Sequence, residues 1–171
     1  LARNRTELEG RYQFDHGKPE MQLSLLDKRD TLKLAETAGV ATPQHWTVNN
    51  EEDLAAVRQS VEFPVMVKPI ISHEFISVFG LKLFIIESDF DELAEKVRLA
   101  WAKNVEVMVI EMIPGPDSQL SSYYTYIGAD HQPSYDYTKS VIRRFPVNRG
   151  LGCYHKSEWL PETAEAGRKF F

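Results

Sequence analysis

Hydrophobic positions along the chain follow two spacings, and each predicts its own kind of element. Phe90, Leu93, Ala94, Val97 and Trp101 recur every three or four residues and predict one long amphipathic helix. Ser88 and Asp91 fit a capping box at its start. Lys28, Leu32, Ala35 and Gly39 make a second stripe, for a helix from Asp27 to about Ala38. Asp27 can cap it, Asp30 stands three residues on, and Gly39 ends it. A third helix is expected from Glu51 to about Ser60. Leu54, Val57 and Val61 face inward, Asn49-Asn50 cap it, and three acids sit at its positive end. Pro161 suits the first position of a final helix.

Short β-prone apolar runs lie between these stripes. His45–Val48, Phe63–Ile70, Leu81–Glu87 and Val105–Ile113 read as strands, the last closed by Pro114-Gly115-Pro116. Leu120–Ile127 and Ser134–Phe145 alternate about a turn at Gly128–Pro133, which predicts an antiparallel hairpin. Strict alternation puts Tyr135, Tyr137, Lys139, Val141 and Arg143 on one face of its second strand. Gly150-Leu-Gly152 turns into a short strand around Tyr154. Residues Leu1–Glu20 read as an extended or loosely helical lead-in. The polar-aromatic stretch Ile71–Gly80 reads as a loop, expected to be a mobile lid. The order of elements predicts an α+β fold, with mixed, largely antiparallel sheets and helices packed on one face.

Composition narrows the function classes. The 171 residues suit one ordinary domain or two small lobes. A net charge of -5 argues against a nucleic-acid footprint. The lone Cys153 rules out an internal disulfide and suits a reducing cytoplasm. No apolar run approaches the roughly 18 residues of a spanning helix, so no membrane partner is expected. The chain lacks an initiator Met and stops at Phe170-Phe171, which we read as a piece of a longer protein. Neither a P-loop nor a Rossmann fingerprint occurs, and the scattered histidines with one cysteine make no metal site.

The chemistry lies in an ordered constellation. Lys68 closes a buried strand on the face opposite Val65 and Val67. A strongly hydrated ammonium there either meets an anion or snorkels to the sheet rim. Lys82 is expected early in the next strand, so that two lysines on neighbouring strands could neutralise phosphates. Val107-Met-Val-Ile-Glu-Met-Ile-Pro-Gly-Pro-Asp117 is a strand running into a kinked turn. Its backbone can offer a C=O and an N–H to a planar heterocycle, and Asp117 can accept from a ribose diol. Taken singly, Glu111 also reads as a strand-end residue facing water and Asp117 as a turn former.

Asp27-Lys28, Ala38-Gly39-Val40 with Pro43, Phe63-Pro-Val-Met-Val-Lys-Pro69 and the Val107–Asp117 stretch, in this order, resemble the ATP-grasp superfamily. The likeness is greatest to carbamoyl-phosphate-synthase-like ATP-grasp ligases, where a strand resembling Ser140-Val-Ile-Arg143-Arg-Phe-Pro146 and a following Gly150 also occur. The resemblance implies an ATP-grasp fold with an incomplete C-terminal lobe. It divides the chain into a lead-in at 1–26, a smaller lobe at 27–117 and the first part of a larger lobe at 118–171. It implies an ATP-dependent ligase that joins a small-molecule carboxylate to an amine or other nucleophile through an acyl phosphate. The alternative is a non-catalytic nucleotide-binding or assembly module of the same fold. ATP and Mg2+ are the implied cofactors, with the magnesium ligands downstream of this chain, which alone would not turn over ATP. Lys28 and Lys68 match phosphate-binding positions, and Glu111, Met112 and Ile113 the adenine hinge. Asp117 matches the ribose acid, Arg143 a cation facing the transferred phosphate, and Lys139 a second such cation. The family's phosphate loop is often glycine-rich. Here its place is taken by Ile71–Gly80, where Ser72 and His73 could donate instead.

Overall fold

The strongest apolar runs pair with one another. In the computed structural model, which describes the chain apart from residues 1, 15, 16, 129, 131, 148 and 149 and the side chains of His73 and Glu74, the helices are α1 (Arg5–Leu8), α2 (Pro19–Ser24), α3 (Lys28–Thr37), α4 (Glu51–Val57), α5 (Ser72–Phe79), α6 (Phe90–Trp101) and α7 (Pro161–Phe170). The strands are β1 (His45–Thr47), β2 (Val65–Pro69), β3 (Phe84–Ile86), β4 (Val107–Glu111), β5 (Ser121–Ile127), β6 (Pro133–Phe145) and β7 (Leu151–Ser157). They belong to two compact units. One comprises Glu20–Lys33 and Ala41–Ile113; the other comprises Leu1–Pro19, Leu34–Val40 and Pro114–Phe171.

The first unit holds an antiparallel sheet in the order β1-β4-β2-β3. Along β2 burial alternates: Val65 and Val67 are fully buried, whereas Met66 and Lys68 are half-buried on the other face. The valines pack with Val107 and Val109 of β4, with Leu54 and Val57 of α4, and with Leu93, Val97 and Ala100 of α6. Each such side chain contributes about 1.5–3 kcal/mol by leaving water. Asp27 caps α3 by accepting from the Arg29 N–H at 2.8 Å, and Gly39 ends that helix at φ 71°. Asn50 caps α4 through the Asp53 N–H at 2.8 Å.

Three expectations are corrected here. Ile71–Gly80 is not a loop, because Ser72–Phe79 form α5. Phe75 is fully buried, and its ring lies 4.6 Å from that of Phe79 and 5.0 Å from that of Phe84. Two phenylalanines one helical turn apart, followed by Gly80 in the left-handed conformation, anchor this helix to the core. β3 is accordingly short, and Lys82 lies in the exposed bend before it rather than on a strand. The cap of α6 is Asp89, which accepts from the Asp91 N–H at 2.8 Å, rather than Ser88.

The second unit holds the antiparallel sheet β5-β6-β7. Helix α7 covers one of its faces. A Cβ at Gly167 would enter the Tyr123 ring, so glycine is required where helix meets strand. Arg168 pairs with Asp136 at 2.8 Å, and Ser121 meets Thr163 at 2.8 Å. Thr138, buried on this face, donates to the Glu158 carbonyl and accepts from the Leu160 N–H, which leaves its hydroxyl satisfied. No helix among the described residues is long and apolar enough to cross a membrane.

Candidate functional site

Two lysines and a helix start come together in the four-stranded unit. Lys28, in the first turn of α3, donates from Nζ to the Ile70 carbonyl at 3.2 Å and to Ser72 Oγ at 2.9 Å. Lys68 projects from β2 two residues before Ile70. Burial holds the Lys68 ammonium below the ordinary lysine range. Lys28 is lowered too, first by burial and then by the charge of Lys68, with Asp27 opposing. Asp27, the acid nearest in sequence, is committed elsewhere: Arg29 holds it at 2.7 Å and keeps its carboxyl below the usual range. Among the described residues no acidic side chain pairs with Lys68 or Lys28.

Immediately after this point α5 begins. Its N-cap residue Ile71 provides no side-chain cap, and the first N–H groups of a helix have no partner within the helix. The stretch expected to be a phosphate loop is therefore a helix start, and oriented N–H groups at a helix start are of the kind that can face an anion. Ser72 stands in that first turn with its oxygen turned to Lys28. The side chain of His73 lies outside the described residues.

On the face shared by Lys68, register places Met66 on β2 and Met108 and Ile110 on β4. Met108 and Ile110 are buried. This apolar strip leads toward the strand end at Glu111, three rungs or roughly 10 Å from the Lys68 rung. There the ladder is left half made. The Met112 N–H donates to the Pro64 carbonyl at 3.2 Å, but Pro64 has no N–H to return. The Glu111 N–H donates to Gln44 O at 2.8 Å, and Gln44 returns its N–H to Glu111 Oε2 at 2.9 Å rather than to the carbonyl. Among the described residues the Glu111 and Met112 carbonyls and the Ile113 N–H have no hydrogen-bond partner. Backbone alternation turns the Glu111 carbonyl and the Ile113 N–H to the same side, an acceptor and a donor two residues apart. The Glu111 carboxylate itself clasps β1 to β4.

The other predicted residues lie in the three-stranded unit. Asp117 opens a single 3-10 turn, Asp117–Gln119, and its Oδ1 accepts from Arg144 Nε at 2.7 Å and Nη2 at 2.5 Å. Sequence reading missed Arg144, because nothing in the composition separates it from Arg143. Register on β6 shifts between Val141 and Arg143 and again between Arg143 and Arg144. Arg143 thus does not continue the face of Lys139 and Val141, which corrects the uninterrupted alternation; it is exposed. Lys139 holds its Nζ 4.8 Å above the Tyr124 ring. Among the described residues no group of three or more His, Cys, Asp or Glu could hold a metal ion.

No family model matches the chain. It is 27% identical over 150 residues to a D-alanine–D-alanine ligase of Pseudomonas fluorescens, covering 82% of this chain and 44% of that protein. Over 98 residues it is 38% identical to a D-aspartate ligase of Enterococcus faecium, covering 54% of this chain and 23% of the relative. Among solved structures, N5-carboxyaminoimidazole ribonucleotide synthetase of Thermus thermophilus superposes with a TM-score of 0.66 at 17% identity, over 99% of this chain and 43% of that one. The chain spans less than half the length of each of these proteins. Its fold is the ATP-grasp fold, and its sequence likeness is to ATP-grasp ligases over part of their length.

Proposed function

We propose that the four-stranded unit binds ATP, as the nucleotide-binding part of an ATP-grasp ligase. The observation that carries this is Lys28, bonded to Ser72 at the start of α5 and within reach of the Lys68 charge, with no acidic side chain paired to either lysine among the described residues. Two partly buried ammonium groups within reach of each other's charge repel and lose hydration, an arrangement that phosphate oxygens would relieve. The Glu111 carbonyl and Ile113 N–H then suit the donor and acceptor edge of adenine, and Met66, Met108 and Ile110 its apolar floor. ADP and ATP occur in solved structures of this fold, which supports the same assignment.

On this reading the ligase joins a small-molecule carboxylate to an amine or related nucleophile, with the carboxylate activated as its acyl phosphate. Arg143 and Lys139 are proposed as the cations facing the reacting groups. Asp117 is proposed for the ribose hydroxyls, with Arg144 fixing its carboxylate. These residues bind and orient. Chemical-shift mapping tests the proposal. ADP is expected to shift the first-turn amides of α5 and the amide of Ile113 together, saturably and with one affinity. Shifts confined to the three-stranded unit would overturn it.

A further inference from the structure

The face of the three-stranded sheet that α7 does not cover carries four tyrosines in register. Tyr124 lies opposite Tyr137 and Tyr126 opposite Tyr135. Each pair is stacked, at 4.9 Å and 7° for the first and 6.2 Å and 11° for the second. All four are exposed, by 39% to 60%. Tyrosines on a solvated strand need not align. Here two stacked pairs follow one another along the strands as an aromatic platform, already ordered before anything binds.

The charge on this face has one sign. Lys139 stands beside the platform with its ammonium over the Tyr124 ring, and no acid pairs with it among the described residues. Ser122, Val141, His155 and Ser157 share the face by register, and none of its strand positions is acidic. Asp136 of β6 and Glu158, just past β7, are engaged by Arg168 and by Lys156 and Ser140 respectively. In a chain with a net charge of -5, an acid-free aromatic face with one unpaired ammonium is complementary to an anionic, flat ligand.

We propose that this face binds a small carboxylate that carries a planar ring. The ring stacks on the tyrosine platform, and the carboxylate meets Lys139. This inference rests on the proposed role of Lys139 beside the reacting carboxylate, but its binding is measured with no nucleotide present, so the two can fail separately. Should both hold, the activated carboxylate is a ring-bearing one.

The test is calorimetric titration of the 171-residue chain with indole-3-acetate, with tryptophol as the ring without the carboxylate, and with acetate as the carboxylate without the ring. Indole-3-acetate is expected to bind about tenfold or more tighter than either control, since a stacked ring and a cation each contribute. Lys139→Met should bring indole-3-acetate down to the level of tryptophol and leave tryptophol unchanged. Tyr124→Ala should weaken the ring ligands about fivefold, while Tyr137→Phe, which keeps the stack, should not. If the alanine variant loses its fold, Lys139→Met and Tyr137→Phe still decide. The proposal is overturned if indole-3-acetate shows no saturable binding, or binds no better than tryptophol. Equally, self-association of the chain that disappears in Tyr124→Ala would make the face an interface between copies instead.

Discussion

A lysine on a buried strand is a cost that the free protein bears. Lys68 is held below its ordinary value of 10.5 by burial, and Lys28 by burial and then by Lys68. For both groups the unfolded chain keeps its proton to higher pH than the folded one. Between the lowered folded value and the ordinary lysine value the unfolded state therefore holds more protons. Stability of the nucleotide-free protein should rise with pH across that window, and the penalty should be fully present below it. Urea denaturation near neutrality and near pH 10 checks this. Wild type is expected to gain stability on going to the higher pH, relative to Lys68→Met. The methionine variant should itself be about 1 kcal/mol more stable than wild type near neutrality, since it removes a desolvated charge and keeps the apolar stem. A less stable variant, with the same pH dependence as wild type, would show that Lys68 is stabilising and paired. The placement of Lys68 on the face opposite Val65 and Val67 was legible from alternation. Arg144 was not legible, because a bulge on β6 leaves no mark that separates it from Arg143.

At the scale of elements, α5 changes the account most. As a mobile lid it would expose its amides until phosphate arrived; as a helix anchored by Phe75 it is ordered beforehand. Amide exchange across Ile76–Gly80 is expected to be slow without nucleotide. Phe75→Ala should cost about 3–5 kcal/mol and speed that exchange, because it empties a site between Phe79 and Phe84. Fast exchange in the wild-type protein would restore the lid. The strands β1, β2 and β4, the long helix α6 and the hairpin β5-β6 follow directly from hydrophobic spacing. α5 was hidden because its first turn is polar and short, and its two inward rings lie four residues apart in a stretch also rich in turn formers. Lys82 was misplaced for a related reason: the apolar run Leu81–Ile86 is longer than the strand it forms, because α5 and its left-handed Gly80 use up the approach to it.

For the whole molecule, the residues assigned to adenine and phosphates fall in one unit and those assigned to ribose and the reacting groups in the other. The four-stranded unit carries the central claim, and it does so with geometry of its own: the half-made ladder at Glu111–Ile113, an apolar strip, and two lysines at a helix start. The family likeness was legible from the order of short motifs across both units. The tyrosine platform was only partly so, since alternation groups Tyr135, Tyr137 and Lys139 but says nothing of the stacked partners on β5. The most direct test compares ADP with adenosine, by calorimetry, for the wild-type chain and for Lys68→Met. The substitution is expected to weaken ADP by about 1.5–3 kcal/mol, the range for a charge-assisted contact, and to leave adenosine unchanged. Equal weakening of both ligands, or no change in ADP, would contradict it.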